Sequence, residues 1–292
     1  MKWMKSLFLC ALAGLLLSFP QPEACAGPPT KIAELYSQAR GGSTFYHPDD
    51  AEMARARRLF SQMFAGAFFE DEAENPAWKT LGFRAVAVRQ DGRRYVAVME
   101  DGAKKGRGFY LFAARPESRT ALMVPHGQKD LRTGDIGMAL LSAGEFVGGA
   151  LNTMPRYAED GSKGQQQDMA HAEDTYFVAY TRAFADVFPR GRLVQIHGFA
   201  SKKRKTEAGR QADVIISSGS AILPPAIFEL KNCLGQTQFN IAVYPLEVRE
   251  LGGTTNISGN VLQSMGHSGF VHFEISYPLR KRLTASPDLL EI

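Results

Sequence analysis

Three separated apolar segments of the chain each carry a side chain that can bind a metal or accept a proton. They read VPHGQKD at 124–130, LVQIHGF at 193–199 and FVHFEIS at 270–276. Imidazole nitrogens and carboxylate oxygens are common ligands of catalytic zinc, which keeps one further position for water. In an open α/β sheet, the carboxyl ends of neighbouring strands converge on one crevice. The pattern therefore predicts a zinc hydrolase site with His126, Asp130 and His197 as its ligands.

Glu274 is the expected general base of that site. Alternation along 270–276 places Glu274 and His272 on one face of a strand, with apolar side chains on the other face. A carboxylate in so apolar a strand is costly unless it is paired or takes part in chemistry. A buried glutamate with a raised pKa is suited to proton transfer. The alternative is a structural ion pair with Arg280 or Arg282.

Each expected ligand also has a simpler interpretation. The loop that carries His126 could join a strand to a helix without an ion, and His197 could be a core histidine bonded to the backbone. Asp130 follows His126 by four residues, and a loop of this length can turn both side chains onto one cation. Asp135 is the reserve candidate for the acidic ligand.

The elements around these segments predict an α/β fold. Three strand-like runs lie between residues 83 and 113, and from residue 120 onward strands alternate with helices. Such alternation is typical of a mixed, mostly parallel sheet with helices on both faces, and the early runs indicate an antiparallel edge. We expect a three-layer αβα architecture. We also expect an extended lead-in over 27–47 and helices over 136–147 and 168–188.

The first 26 residues have the pattern of a cleaved signal peptide. A basic start precedes an apolar run that is too short to span a membrane, and small residues precede Ala26. A lipoprotein anchored at Cys25 is disfavoured by the Pro22-Glu23-Ala24 context. We expect a periplasmic or secreted protein without a stable membrane span, in which residues 27–292 form one domain. Only Cys233 would remain after cleavage, so we expect no internal disulfide.

The charge pattern is uninformative except at one loop. The formal net charge of +4 at pH 7 is small for 292 residues and does not suggest nucleic-acid binding. The basic run at 202–205 follows the His197 segment closely. It could be a solvated loop, or it could form a rim above His197 that attracts carboxylate-rich substrates.

The histidines, the acids and their chain order resemble zinc carboxypeptidases and their amidohydrolase relatives. These relatives include N-formylglutamate amidohydrolases and poly-γ-glutamate hydrolases. The resemblance covers roughly residues 120–285 and implies a phosphorylase/hydrolase-like fold in which His126, Asp130 and His197 bind zinc and Glu274 activates water. The family spaces its first His and Glu by three residues, whereas this chain has Asp at four, which places the identity of the acidic ligand in question.

The resemblance also implies a substrate. Family members often place an Asn and an Arg between the two histidines to bind a substrate carboxylate, which indicates Asn152 and Arg156, with Arg132 as a further candidate. The implied function is an exported zinc hydrolase that cleaves a C–N bond next to a carboxylate-bearing residue. Its partner would be a small peptide, an acyl-amino acid, a γ-glutamyl chain or cell-wall peptide.

Two other functions fit the same sequence. Residues 126–130 also resemble the His-Gly-Gly-x-Asp stretch of N-acetylmuramoyl-alanine amidases, in which Glu145 would have to supply the second ligand. A non-catalytic exported binding protein could keep the fold without the metal. Measured zinc separates that binding protein from either enzyme.

Overall fold

A mixed sheet forms the centre of the molecule. The computed structural model describes residues 31–42, 45–67, 76–116, 118–143, 146–156 and 168–286. Over these residues the strands are β1 (Phe83–Gln90), β2 (Arg93–Glu100), β3 (Phe109–Ala113), β4 (Thr120–Val124), β5 (Gly148–Leu151), β6 (Arg192–Phe199), β7 (Val214–Ser217), β8 (Ile241–Val243) and β9 (Phe270–Ser276). They lie in the order β1-β2-β3-β5-β4-β6-β9-β7-β8.

The middle of the sheet is parallel, and an antiparallel pairing joins it to the outer strands on each side. β5, β4, β6 and β9 are parallel neighbours. β1, β2 and β3 pair antiparallel with one another, and β3 pairs antiparallel with β5. On the far side β7 is antiparallel to β9. The predicted mixed sheet with an early antiparallel edge is therefore confirmed.

Helices cover both faces of the sheet. They are α1 (Lys31–Ala39), α2 (Asp50–Phe64), α3 (Pro76–Lys79), α4 (Thr133–Ser142), α5 (Tyr176–Val187), α6 (Glu207–Gln211), α7 (Pro225–Leu234), α8 (Ile257–Ser264) and α9 (Tyr277–Ala285). Side chains of α1, α4, α7 and α9 belong to one apolar core, and those of α2, α5 and α8 belong to the other. Two cores on opposite faces of one sheet make the three layers that the sequence predicted.

Local chemistry explains several of the elements. Asp49 caps α2, and Glu52 returns the hydrogen bond in a capping box. Asp91 and Gly92 both have positive φ angles, 49° and 74°, in the tight turn between β1 and β2. Asp-Gly is favoured there because this turn needs positive φ at both central residues.

Three secondary-structure expectations were wrong in part. Residues 31–39 form helix α1, because Ile32, Tyr36 and Ala39 make a buried stripe at helical spacing. The helix expected over 168–188 starts only at Tyr176, after Thr175 caps it. The helix expected over 136–147 is α4, which ends at Ser142, and the strand β5 that follows was missed because its sequence is Gly-Gly-Ala-Leu.

The expectation about the cysteines was also wrong. Cys233 is buried and disulfide-bonded. The signal peptide that we expect at 1–26 lies outside the described residues. Within the described ranges, every helix is too short or too polar to cross a bilayer.

Candidate metal centre

Neighbouring parallel strands bring the chemically active segments together. β4, β6 and β9 lie side by side and run in the same direction, so their carboxyl ends share one edge of the sheet. His126 follows β4 by two residues, whereas His197 lies in β6 and is the register partner of Glu274 in β9. All three side chains are buried. The sheet therefore assembles this site from residues that are far apart in the sequence.

Two imidazoles and a carboxylate point at one position. His126 Nδ1 lies 3.1 Å from His197 Nδ1. Asp130 Oδ2 lies 3.5 Å from His126 Nδ1 and 3.8 Å from His197 Nδ1. The backbone N–H of Gly198 donates to the same Asp130 oxygen at 3.0 Å. The structure thus brings the ligand atoms of the three predicted ligands, His126, Asp130 and His197, to within 4.8 Å of one another.

Asp168 determines the tautomer of His126. His126 Nε2 lies 2.7 Å from Asp168 Oδ1, and Arg156 Nε donates to Asp168 Oδ2 at 2.8 Å. Burial alone would raise the pKa of Asp168, but His126 and the charge of Arg156 lower it to about 2. Because an ionised carboxylate can only accept, His126 Nε2 carries the proton and its Nδ1 faces Asp130 and His197. A carboxylate behind a histidine is a common support for metal ligands.

Gln195 does the same for His197. Its Oε1 lies 2.8 Å from His197 Nε2, so that nitrogen donates and Nδ1 keeps its lone pair. Burial lowers the pKa of His197 well below its ordinary value, and His272 and His126 lower it further, so the ring is neutral. Neutral imidazole is the form that binds metals.

The resulting donor set fits a cation. Two nitrogen lone pairs and a carboxylate oxygen face one another across a short distance. Because all three are electron-rich acceptors, this arrangement is favourable when a positive charge lies between them. Burial lowers the pKa of His126, but its hydrogen bonds to Asp130 and Asp168 outweigh burial and raise the pKa. The same groups that stabilise a proton on His126 Nδ1 would stabilise a metal ion there, and binding would displace that proton.

Glu274 lies beside this position and is buried. Its exposure is 8%, its Oε1 is 4.0 Å from His272 Nε2, and its Oε2 lacks a hydrogen-bond partner within the described part of the chain. Burial, followed by the charge of Asp130, raises the pKa of Glu274 from 4.5 to about 8. A positive ion at the donor set would lower that pKa and favour the carboxylate.

His272 is a site residue that sequence reasoning did not select. Its ring centroid lies 4.6 Å from that of His197, and burial lowers its pKa to about 4. Together with His197 and Glu274 it forms a second group of donor atoms within 4.8 Å of one another. The signal was present, because alternation along β9 already placed His272 on the face of Glu274.

A cavity of about 750 Å³ opens onto the donor set. His126, His197, His272 and Glu274 line it, and the 251–255 loop forms one wall. Lys203 and Arg204 from the basic run also line it, and Arg204 is paired with Glu250 at 3.1 Å. The predicted basic rim is therefore part of the cavity wall.

The predicted substrate-binding residues occupy different places. Arg156 lines the cavity, where its guanidinium holds Asp168. Asn152 is buried behind the site and donates to the carbonyl of Pro125 at 2.8 Å. Its side-chain oxygen accepts from Met154 N–H, so both ends of the amide serve the fold.

Two predicted residues lie away from the cavity. Arg132 is exposed and donates to Thr284 Oγ1 at 2.8 Å on α9. Asp135, the reserve ligand, is exposed in the first turn of α4. Neither lines the cavity, whereas Asp130 does. The geometry therefore favours Asp130 over Asp135 as the acidic member of the donor set.

Arg280 ties together the loops that carry the donors. It donates to the carbonyl of Leu131 at 2.6 Å and to that of Phe199 at 3.2 Å. Leu131 follows Asp130, and Phe199 lies two residues beyond His197. The guanidinium passes over Gly198, where a Cβ would lie 2.3 Å from Arg280 Cζ. A glycine is needed at 198 because the space for a side chain is filled by Arg280.

Gly198→Ala is expected to destabilise the protein by about 1–3 kcal/mol, the usual cost of overpacking a filled site. Arg280 is only 4% exposed and bonds two carbonyls, so it cannot withdraw without breaking them. Urea unfolding measures the cost. In an Arg280→Ala background the same change should cost much less, because the clash is gone. Equal costs in both backgrounds would show that the contact with Arg280 is not the cause.

Comparison with known proteins gives only distant structural similarity. No protein-family model matches the chain, and no curated protein matches it significantly. An N-formylglutamate amidohydrolase from Ralstonia eutropha JMP134 aligns at 11% identity over 63% of this chain and 94% of that chain, with a TM-score of 0.43. Esterase E25 aligns at 11% identity over 86% of this chain and 98% of that chain, with a TM-score of 0.16. What this chain does must therefore be inferred from its own side chains.

Proposed function

We propose that this protein is a metal-dependent hydrolase that cleaves an amide bond next to a carboxylate-bearing residue. Zinc is the expected metal, held by His126, Asp130 and His197. One observation carries the proposal. The Nε2 atoms of two buried imidazoles act as hydrogen-bond donors, so their Nδ1 atoms keep their lone pairs, and both Nδ1 atoms face the same carboxylate oxygen. Two nitrogens and one oxygen with an adjoining cavity match a catalytic zinc site with an open position.

The side chains then have distinct tasks in hydrolysis. Bound zinc would supply Lewis acidity, by lowering the pKa of a coordinated water toward about 7 and polarising the scissile carbonyl. Glu274 accepts the proton of the attacking water and returns it to the leaving amine. Its burial favours this exchange, because it raises the pKa of Glu274 to about 8, and a carboxylate poised near neutral pH can take up and release a proton. Asp168 and Gln195 hold the two imidazoles in the metal-binding tautomer.

The cavity supports an anionic substrate. Lys203, Arg204 and Arg280 line it, whereas its acids are Asp130, a member of the donor set, and the neighbouring Glu274. Leu131 and Tyr277 add exposed apolar surface to the lining, at 58% and 39% exposure. A short peptide or an acyl-amino acid has this combination of carboxylate and apolar groups. We further propose export, based on the signal-peptide pattern at 1–26.

The test combines metal analysis with a substrate panel. We expect the purified chain to contain about one zinc per molecule by mass spectrometry, to lose activity with a chelator and to regain it with zinc. The panel contains N-formyl and N-acetyl amino acids, a γ-glutamyl peptide and a muropeptide. Each carboxylate-bearing compound is paired with its carboxamide. We expect cleavage of the carboxylate form and little cleavage of the carboxamide.

The alternatives give different results. Cleavage of the muropeptide alone would identify a cell-wall amidase. A chain that binds no zinc, and whose thermal unfolding is unchanged when zinc is added, would overturn the proposal and leave a non-catalytic binding protein. For comparison, zinc at about 100 times its Kd should stabilise a binding-competent fold by about 2.7 kcal/mol.

A further inference from the structure

A chain of side-chain amides connects the start of helix α8 to His197. Asn256 is the N-cap of α8, and its Oδ1 accepts from the backbone N–H groups of Ser258 at 3.0 Å and Gly259 at 3.3 Å. Backbone N–H groups can only donate, so the oxygen end of the amide faces the helix. The Nδ2 end must then point away from the helix as a donor.

That donor determines the orientation of Gln195. Asn256 Nδ2 donates to Gln195 Oε1, and the same oxygen accepts from His197 Nε2. Among the described residues, the other end of the Gln195 amide, Nε2, has Met123 Sδ as its only hydrogen-bond partner, at 4.0 Å. A thioether is a weak acceptor and selects neither orientation. Asn256 is therefore the group that turns the oxygen of Gln195, rather than its nitrogen, toward His197.

His197 needs this constraint because its other neighbours act in the opposite direction. His126 Nδ1 at 3.1 Å and Asp130 Oδ2 at 3.8 Å would both favour a proton on His197 Nδ1. A proton there would occupy the lone pair that faces the cavity. The Gln195 oxygen opposes this preference, because only an N–H at Nε2 can donate to it.

We propose that the N-cap of α8 sets the tautomer of His197: Asn256, acting through Gln195, keeps the proton on Nε2 and the lone pair on Nδ1. Asn256 and Gln195 are positioning residues, since they act on a ligand rather than on substrate. The consequence for metal affinity rests on the proposed function. The tautomer itself can be measured in the metal-free protein.

Asn256→Asp tests the proposal with a nearly isosteric change. Asp is as good an N-cap as Asn, so α8 should remain capped. The helix N-terminus also favours the ionised carboxylate. Asp has no donor, so Gln195 should turn its NH₂ group toward position 256 and hence toward His197 Nε2. That nitrogen must then accept, and the proton moves to Nδ1.

Two measurements report the result. In long-range ¹H–¹⁵N NMR of the metal-free protein at pH 8, we expect the His197 proton on Nε2 in the wild type and on Nδ1 in Asn256→Asp. Zinc affinity should fall by about 10–100-fold, as is common when a group behind a metal ligand is lost. This direction is diagnostic, because an added negative charge near a cation site would otherwise strengthen binding.

The controls separate the tautomer from charge and folding. Asn260→Asp places the same charge on an exposed position of the same helix and should change neither measurement. Gln195→Glu keeps an acceptor against both Asn256 and His197, so it should keep the Nε2 proton, and its added charge should strengthen zinc binding rather than weaken it. If Asn256→Asp does not fold, Gln195→Met removes the acceptor at similar volume and should itself move the proton toward Nδ1.

A His197 proton that stays on Nε2 in folded Asn256→Asp, or in Gln195→Met if Asn256→Asp does not fold, would overturn this proposal. A proton that moves to Nδ1 in Asn256→Asp while zinc affinity changes less than threefold would confirm the tautomer assignment and overturn only its consequence for metal affinity. A wild type that has its proton on Nε2 but binds no zinc would instead overturn the proposed function, and would leave the tautomer assignment standing.

Discussion

His197→Ala is expected to reduce bound zinc from about one equivalent to less than about a tenth, and to abolish hydrolysis. If a zinc site contributes about 10–16 kcal/mol shared among three protein ligands, the loss of one weakens binding by about 10²–10⁴-fold. His197 is central to the donor set, since its Nδ1 faces both His126 and Asp130. Mass spectrometry of the purified variant and a zinc titration measure the effect.

The control for this prediction is His47→Ala. His47 is also a histidine hydrogen-bonded to a carboxylate, at 2.7 Å from Asp174, but it is partly exposed and lies outside the cavity lining. The His47→Ala variant should therefore bind as much zinc as the wild type. His197→Gln retains a polar side chain against Gln195 and guards against misfolding of the alanine variant. A folded His197→Ala or His197→Gln protein with zinc content equal to that of the wild type would exclude His197 as a ligand.

Glu274→Gln is expected to lower kcat by about 10²–10⁴-fold while zinc content stays unchanged, because a general base contributes that factor. Glutamine has the same shape and cannot accept the proton of water. We expect kcat to fall without a change in zinc content, since Glu274 is assigned a role in proton transfer and none in holding the metal. Steady-state kinetics at saturating substrate, together with metal analysis, test it.

The same substitution has a predicted effect on stability. The pKa of Glu274 is raised from 4.5 to about 8 by burial in the metal-free protein, so the folded state favours the neutral acid. The stability that this group provides is present below pH 4.5 and is lost as the pH rises to about 8. Metal-free Glu274→Gln should therefore be more stable than the wild type at pH 8.

An exposed glutamate provides the control for both effects. Glu229 lies on α7, its side chain is 61% exposed in a pair with Arg192, and it is not part of the cavity lining. Glu229→Gln should change neither kcat nor the pH dependence of stability. If Glu274→Gln keeps more than about a tenth of the wild-type activity, another group is the general base. A loss of less than about tenfold is much smaller than the factor that a general base contributes to the rate.

The sequence by itself determined which strands carry the site and where three of its side chains lie along them. Alternating and continuous apolar runs identified β4, β6 and β9, and the positions of His126, His197 and Glu274 relative to those strands followed from the runs. This works because strand periodicity is a local property: each residue's face depends on its immediate neighbours. The pairing of helices with strands then required a mostly parallel sheet, which brings the strand ends to one edge.

Only the tertiary structure decided which other residues belong to the site. Asp168 contacts His126 across 42 residues, and Asn256 contacts Gln195 across 61. Asp168 was expected inside a helix, whereas it lies in the turns before Tyr176. Arg132 was expected to bind substrate, whereas it lies at the surface. Such contacts depend on how loops of different length pack together, and no local pattern encodes that packing.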